Sequence, residues 1–211
     1  MAAEKTMGVY GNQDGQRGTA HGRKLVVLDR DGVINHDSAA FIKSPDEWQP
    51  IPGSLEAIAR LNRAGYRVVV ATNQSGIGRG LFDTAMLNDI HEKMHRAAAA
   101  AGARIEAVFF CPHTNRDACL CRKPLPGMMH EIVERYDVAD ASKVPMVGDA
   151  LRDLQSGAAA GFVPHLVKTG KGAKTLADAE TQGADHALPP GTRIHDDLRQ
   201  FALDFLAHHV D

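Results

Sequence analysis

The sequence has almost no excess of either charge and no long apolar run. Its 24 Lys and Arg residues against 26 Asp and Glu residues leave a formal net charge of -2 and an isoelectric point near 6.6, so it offers no broad basic surface for nucleic acid or an anionic membrane. No segment approaches the roughly 20 apolar residues that cross a bilayer, and the first residues lack the apolar core of a signal peptide. We expect a cytoplasmic monomer with neither a nucleic-acid nor a membrane partner.

Cysteine is scarce, with three residues in 211, and all three lie in one short stretch. Residues 111–121 read Cys-x-His-x5-Cys-x-Cys, and in a reducing compartment such a group holds a metal more often than it forms disulfides. The alternative, thiols packed as small apolar groups, fits poorly with the Pro, Asn, Arg and Asp between them. Four such ligands complete the tetrahedral shell of Zn²⁺. The sequence therefore predicts a loop stabilised by structural zinc on Cys111, His113, Cys119 and Cys121.

The remaining composition is that of an ordinary globular protein, with 44% hydrophobic and 24% charged residues. Residues 1–23 are rich in Gly, Gln, Asn and Thr and have little apolar surface to bury, which predicts a flexible N-terminal tail. A chain of this length suits one domain with a substantial core. We therefore predict a single domain over residues 24–211.

From residue 24 onward, strand-like and helix-like segments alternate. The predicted strands are the apolar runs KLVVLD, YRVVVAT, IEAVFF, VPMVGD and FVPHLVK. The predicted helices cover 54–64, 83–101, 126–136 and 151–160, and a terminal helix covers DDLRQFALDFLAHH. This alternation predicts an α/β fold of the Rossmann-like kind, with a central parallel sheet flanked by helices and a ligand site at the carboxyl ends of the strands.

Carboxylates follow two of these strands. The first strand leads into Asp29 and Asp31, and the fourth leads into Asp149. A single aspartate at a strand end often only caps a turn. Three in one pocket repel one another unless a cation lies among them, and oxygen ligands favour Mg²⁺. The sequence therefore predicts a magnesium site at this edge of the sheet.

The groups expected around this site suit a phosphoryl group. The second strand ends in Thr72-Asn73-Gln74-Ser75, which offers hydroxyl, amide and backbone donors, and Lys123 offers a positive charge. A carboxylate, Asp29, would attack phosphorus while these groups neutralise the oxygens. Asp31 would protonate the leaving oxygen and later deprotonate the water that hydrolyses the aspartyl phosphate.

Four motifs, DRDGVIN, ATNQSG, CRKP and VGDALRDL, resemble those of the haloacid dehalogenase superfamily of aspartate-nucleophile phosphatases. More narrowly, the chain resembles the subfamily of heptose 1,7-bisphosphate and histidinol phosphatases. The resemblance implies Asp29 as nucleophile, Asp31 as proton donor, and Mg²⁺ held by Asp29, the Asp31 carbonyl and Asp149. It also implies phosphoryl stabilisation by Thr72 and Lys123. The substrate contacts that it implies are Asp37, Ser38, Ala39, Ala40, Thr72, Asn73, Gln74, Ser75, Arg122 and Lys123.

Two positions are open at this level. Some relatives carry a lysine after the aspartate of the fourth motif, where this chain has Ala150, so that contact is absent or supplied elsewhere. Asp153 is either a further ligand near the metal or a solvated helix residue. His91 and His95 lie four residues apart on a predicted helix, as metal ligands can, but no carboxylate partner is evident and a solvated face is favoured.

The connections between the motifs are short, which predicts no large cap domain and an open site. An open site admits a substrate with bulk beyond its phosphate, and the resemblance implies the 7-phosphate of D-glycero-D-manno-heptose 1,7-bisphosphate. Alternatives are a histidinol-phosphate phosphatase, a nucleic-acid 3′-phosphatase, and a non-enzymatic receiver module that accepts phosphate. The charge balance disfavours the nucleic-acid enzyme, and the Asp-x-Asp spacing disfavours the receiver.

Overall fold

The computed structural model describes residues 8–11 and 24–208. Seven strands form one sheet. In chain order they are β1 (Gly8–Gly11), β2 (Leu25–Leu28), β3 (Arg67–Asn73), β4 (Ala107–Cys111), β5 (Pro145–Gly148), β6 (Val163–Val167) and β7 (Arg193–His195). Their order across the sheet is β1-β4-β3-β2-β5-β6-β7. All neighbouring strands are parallel except β1, which pairs antiparallel with β4.

Seven helices connect or follow these strands within the described residues. They are α1 (Ser54–Arg63), α2 (Ser75–Gly78), α3 (Thr84–Ala100), α4 (Gly127–Tyr136), α5 (Leu151–Ala159), α6 (Gly172–Thr181) and α7 (Leu198–Ala207). Short 3-10 turns cover Pro45–Glu47, Ala141–Lys143 and Ala184–His186. The N-cap of α3 is Asp83, whose carboxylate accepts the Met86 amide, and Asp197 caps α7 in the same way through the Gln200 amide.

The central strand is apolar on both sides because helices cover both faces of the sheet. Successive side chains of a strand point to opposite faces. Val26 and Leu28 accordingly join the core beneath α1, α3 and α7, while Leu25 and Val27 join the core beneath α4. This is the burial that a continuous apolar run predicts for a parallel sheet.

The five predicted strands and five predicted helices are present, with bounds that differ by at most two residues. The α/β architecture with a central parallel sheet is therefore confirmed. Four strands and helices were not predicted: β1, α2, α6 and β7. Of the segment 1–23, which was predicted to be a flexible tail, the structure describes only residues 8–11, and these pair with β4 instead. The rest of that prediction lies outside the described residues.

The connections at the active-site edge are short, as predicted. Between β2 and α1 the chain forms a small turn structure in which Asn35 bridges to both Asp31 and Pro50. Between β3 and β4 it forms only α2 and α3. Residues 24–208 therefore contain no inserted cap domain at these two points. No helix in the described part of the chain is long and apolar enough to span a membrane.

Candidate active site

The register of three neighbouring strands brings the predicted site residues together. Leu28, the last residue of β2, pairs with Val70 of β3 on one side and with Val147 of β5 on the other. Asp29 therefore leaves the sheet level with Gly148 at the end of β5 and with Ala71, two residues before β3 ends. Because β2 lies where the strand order changes direction, the crevice outside its carboxyl end is the expected place for a ligand.

The centre of the site is a buried ion-pair group around Lys123. Its ammonium lies 3.0 Å from an Asp29 oxygen and 2.6 Å from an Asp153 oxygen, and it donates to the Ala71 carbonyl at 2.7 Å. Asp29 and Asp153 are buried, and so is Lys123. Burial lowers the pKa of Lys123, but the two carboxylates outweigh burial and raise it, so this lysine remains charged.

Asp149 completes the acidic group from the end of β5. One of its carboxylate oxygens accepts the Lys171 amide at 2.8 Å. The same oxygen lies where side chains at two glycines would be: a Cβ on Gly32 would lie 2.0 Å from it, and a Cβ on Gly170 would lie 2.2 Å from it. Both glycines have positive φ. The carboxylate therefore sits in a cradle that only glycine permits at these two positions.

Three carboxylates meet at this point, and their electrostatics favour a cation. Ligand oxygens of Asp29, Asp149 and Asp153 all lie within 4.8 Å of one another. Burial raises the pKa of Asp149 to about 8, reinforced by the charges of Asp153 and Asp29. Burial also raises the pKa of Asp29 to about 6, although Lys123 opposes it. Lys123 balances only part of this negative charge, so the donor set fits a hard divalent cation such as Mg²⁺.

Asp31 has a different environment from Asp29, two residues away. Its carboxylate accepts hydrogen bonds from Arg30, from Asn35 at 2.9 Å and from Gln74 at 2.9 Å. Burial raises its pKa, but Arg30 and the amide donors outweigh burial and lower it. The Asp31 carboxylate is not part of the three-aspartate cluster, and the metal contact through its backbone carbonyl stays a prediction.

The polar side chains at the end of β3 form hydrogen bonds with other residues of the site. Gln74 donates to Thr72 Oγ1 at 3.0 Å as well as to Asp31. Asn73 makes two hydrogen bonds with the backbone of Lys123, donating to its carbonyl at 3.0 Å and accepting its amide at 3.1 Å. Thr72, Gln74 and Ser75 are buried. The amide side chains of Asn73 and Gln74 therefore hold neighbouring groups in place in this structure.

The segment predicted to contact substrate lies at the rim of the site. Asp37 accepts the Ser38 amide at 2.8 Å and forms an ion pair with Lys171 at 2.7 Å. Ser38 Oγ accepts the Ala40 amide at 3.2 Å, and Ala39 lies between them at the exposed turn. Through Lys171, whose amide also binds Asp149, this segment is connected to the acidic cluster.

The predicted Cys/His cluster is formed. The Cys111 thiol lies 3.5 Å from His113 Nδ1 and 3.9 Å from the Cys119 thiol, and His113 Nδ1 lies 3.3 Å from the Cys121 thiol. All four ligand atoms lie within 4.8 Å of one another. A tetrahedral zinc would set sulfur–sulfur edges of about 3.8 Å and sulfur–nitrogen edges of about 3.5 Å. The three measured distances are close to these values, so the donor set fits a tetrahedral metal.

The Cys/His cluster lies directly beside the basic pair. Arg122 donates to the carbonyl of His113 at 3.1 Å, and Lys123 follows it into the active site. Cys111 pairs in register with Asn73, the residue that holds the Lys123 backbone. A hydrogen bond from Cys111 lowers the pKa of Cys121 to about 5, so one thiolate is present at neutral pH.

The structure decides between the two alternatives for Asp153 and corrects the interpretation of His91. Asp153 is not solvated on the surface of α5: it is fully buried, pairs with Lys123 and accepts the Ala150 amide at 3.0 Å. His91 is not on a solvated face either, because it is 3% exposed and contacts Arg30. The signal for Asp153 was its spacing, since a residue four positions after Asp149 and three into a helix points back toward the strand end.

Known proteins share this architecture. The family model for haloacid dehalogenase-like hydrolases matches residues 6–161. The D-glycero-beta-D-manno-heptose-1,7-bisphosphate 7-phosphatase of Bordetella bronchiseptica is 60% identical over 183 residues, which are 87% of this chain and 98% of that protein.

Two solved structures are also similar. The D,D-heptose 1,7-bisphosphate phosphatase from B. bronchiseptica, complexed with magnesium and phosphate, is 59% identical, covers 88% of this chain and 99% of its own, and has a TM-score of 0.83. The corresponding phosphatase from Burkholderia thailandensis is 61% identical, covers 87% and 99%, and has a TM-score of 0.68. The match over residues 6–161, together with these relatives, shows that the chain belongs to the haloacid dehalogenase-like hydrolases.

Proposed function

We propose that this protein is a magnesium-dependent phosphatase that removes the 7-phosphate of D-glycero-β-D-manno-heptose 1,7-bisphosphate. The observation that carries the substrate assignment is the 60% identity, over nearly the whole length, to a phosphatase of that name. The buried group of three aspartates around one lysine supports the reaction class. The product would enter the synthesis of a nucleotide-activated heptose, as used in lipopolysaccharide and related glycans.

Asp29 is the nucleophile in this proposal. Its carboxylate attacks the phosphorus atom, and the bond between phosphorus and the sugar oxygen breaks. The phosphoryl group is then held as an aspartyl phosphate until water releases it. Lys123 lies 3.0 Å from the attacking carboxylate, close enough to neutralise the oxygens of the phosphoryl group, and Thr72 Oγ1 is placed at the neighbouring strand end.

The metal site of the reaction is formed by Asp29, Asp149 and the backbone carbonyl of Asp31. Asp153 lies within 4.8 Å of the other two carboxylates, so it holds the metal directly or through a bound water. A bound Mg²⁺ supplies positive charge beside the transferring phosphoryl group. The glycine cradle at residues 32 and 170 and the Lys171 amide orient Asp149 toward this position.

Asp31 is the general acid and the general base of the reaction in this proposal. In the first half of the reaction it donates a proton to the leaving sugar oxygen, and in the second half it takes one from the attacking water. Its lowered pKa places the resting carboxyl group in the ionised form, which is the form needed for the second half. For the first half, the proton must arrive with the substrate or from solvent when the complex forms.

The Cys/His cluster holds structural Zn²⁺ in this proposal. All four protein ligands are used, so the metal has no open position for chemistry. Ordering the loop fixes Arg122 and Lys123, which follow Cys121 directly. Arg122 recognises the substrate together with the segment 37–40 and Ser75, and the absence of a cap leaves room for the second phosphate of the sugar.

A phosphate-release assay tests the proposal. With Mg²⁺ present, heptose 1,7-bisphosphate should be hydrolysed at the 7-position far faster than histidinol phosphate. Asp29→Asn should lose at least about a thousandfold in kcat, since an amide cannot form the intermediate. Preference for histidinol phosphate would refute the substrate assignment, and an active Asp29→Asn variant would refute the mechanism.

A further inference from the structure

Arg30 lies between the two aspartates of the first motif and is fully buried. Its guanidinium donates from Nε to Asp31 Oδ1 at 3.0 Å, and from Nη2 to both Asp31 oxygens at 2.9 and 3.0 Å. An arginine fork of this kind fixes the plane of a carboxylate as well as its position. The side chain of Arg30 therefore orients its neighbour in the chain.

His91 binds the other end of the same guanidinium. It lies on α3, and its Nε2 atom is 3.2 Å from Arg30 Nη1. A guanidinium has only donors, so Nε2 accepts the hydrogen bond and the ring proton resides on Nδ1. Burial lowers the pKa of His91 well below its ordinary value, and the charge of Arg30 lowers it further, so the ring is neutral and able to accept.

We propose that Arg30 and His91 are positioning residues for Asp31, holding its carboxyl group where it exchanges protons with the leaving group and the attacking water. Arg30 is fully buried and His91 is 3% exposed, so both act through Asp31. The inference rests on the proposed function, in which Asp31 is the acid and base.

The physical reason is the freedom that Asp31 would otherwise have. Its side chain is 20% exposed at the end of a strand, and an aspartate in that place has more than one accessible rotamer. Proton transfer requires it within hydrogen-bond reach of the oxygen concerned, so loss of orientation lowers the rate. Asn35 and Gln74 contribute one hydrogen bond each, whereas Arg30 contributes three contacts and is itself fixed by a helix on the far side.

The leaving group gives a readout that a merely structural role would not move. Phenol has a pKa of about 10, as tyrosine does, and its departure benefits from an acid. The more acidic p-nitrophenol departs with little help. Misplacing Asp31 should therefore lower kcat/KM for phenyl phosphate more than for p-nitrophenyl phosphate. Damage to the nucleophile, the lysine or the metal site should lower both equally.

The experiment measures kcat/KM of the magnesium-loaded enzyme for both aryl phosphates and for the heptose bisphosphate. Asp31→Asn sets the full effect of losing the acid. His91→Ala should lower the phenyl to p-nitrophenyl ratio about fivefold and the rate on the sugar about tenfold, in the same direction as Asp31→Asn. His91→Gln, which keeps an acceptor, should recover most of the loss. His95→Ala, one turn further along α3, is the matched control and should behave as the wild type.

An unchanged phenyl to p-nitrophenyl ratio in His91→Ala would overturn the inference, whether the two rates stay at the wild-type level or fall equally. Arg30→Lys, which keeps the charge but not the fork, provides a second test if His91→Ala folds poorly by thermal melting, and it should lower the ratio as well. The aryl pair does not depend on the heptose assignment. Failure to hydrolyse the heptose bisphosphate would therefore refute the proposed substrate while the positioning role is still decided by the ratio.

Discussion

The acidic cluster and the Cys/His cluster are assembled in opposite ways. The acidic cluster joins residues from the ends of separate strands and from a helix, Asp29, Asp149 and Asp153, around a lysine from a fourth place in the chain. The Cys/His cluster lies entirely within residues 111–121. The first therefore exists only because the sheet is formed, whereas the second depends mainly on the local path of one loop.

The two clusters also differ in what holds them without a metal. In the acidic cluster, Lys123 pairs with Asp29 and Asp153, the Lys171 amide donates to Asp149, and the Ala150 amide donates to Asp153. In the other cluster, the cysteine and histidine side chains contact one another through sulfur and ring nitrogen atoms. Loss of metal should therefore stop the chemistry at the first cluster while leaving its geometry, and should loosen the loop at the second. Asn73, which pairs with Cys111 and holds Lys123, connects the two.

The largest effect is expected at the acidic cluster. Asp153→Asn should lower kcat by roughly a hundredfold and raise the Mg²⁺ concentration needed for half-maximal activity, because Lys123 loses one of its two carboxylate partners and the metal loses a nearby charge. Steady-state assays over a Mg²⁺ series measure both quantities. Wild-type magnesium dependence in this variant would show that Asp153 acts on Lys123 alone.

The next largest effect is expected from a variant that breaks the Cys/His cluster. Cys119→Ser should reduce bound zinc, which elemental analysis measures, and lower kcat about tenfold through disorder at Arg122 and Lys123. Leu120→Ala is the matched control, since Leu120 lies between two ligands but is 79% exposed. Full activity in a variant verified to lack zinc would separate the loop from catalysis.

Breaking the link between the clusters should lower activity less than breaking either cluster. Asn73→Ala removes both hydrogen bonds to the Lys123 backbone and should lower kcat severalfold, since each contributes about 1 kcal/mol to holding the lysine. Zinc content should stay unchanged, which distinguishes this variant from Cys119→Ser. A loss of zinc in Asn73→Ala would mean that the strand pairing, not the side chain, connects the two sites.

The smallest effect is the pH dependence of stability. Asp29 and Asp149 have pKa values raised from 3.8 to about 6 and about 8. Between pH 3.8 and about pH 8, the folded, magnesium-free protein therefore holds more protons than the unfolded chain. The free energy of unfolding consequently falls as the pH rises through this range. Mg²⁺ removes the repulsion, so the increase in Tm on adding it should grow by a few degrees from pH 6 to pH 8.

Calorimetry of protein transferred into magnesium-free buffer, with zinc retained, measures this increase. Asp149→Asn should reduce its pH dependence. An increase in Tm that is the same at both pH values would show that the carboxylates are already neutralised by Lys123 and the backbone donors.

Local patterns were enough to predict the parallel sheet, the main helices, the Cys/His cluster and two of the three clustered aspartates. Continuous apolar runs between capped helices identify strands buried on both faces, and ligand spacing within one loop identifies a metal site, because both depend on residues that are near one another in the chain. The short strands β1 and β7 escaped prediction because neither has a pattern of its own: they are strands only because a neighbour offers free hydrogen-bonding groups.

The sequence by itself determined which chemical groups the active-site edge would carry and that a phosphoryl group would suit them. Only the tertiary structure decided which of those groups face one another. Asp153 pairs with Lys123, His91 binds Arg30, and Asn73 binds the backbone of Lys123. These contacts join residues 30 to 61 positions apart in the chain. Such pairings follow from strand register and helix packing, which no short stretch of residues specifies.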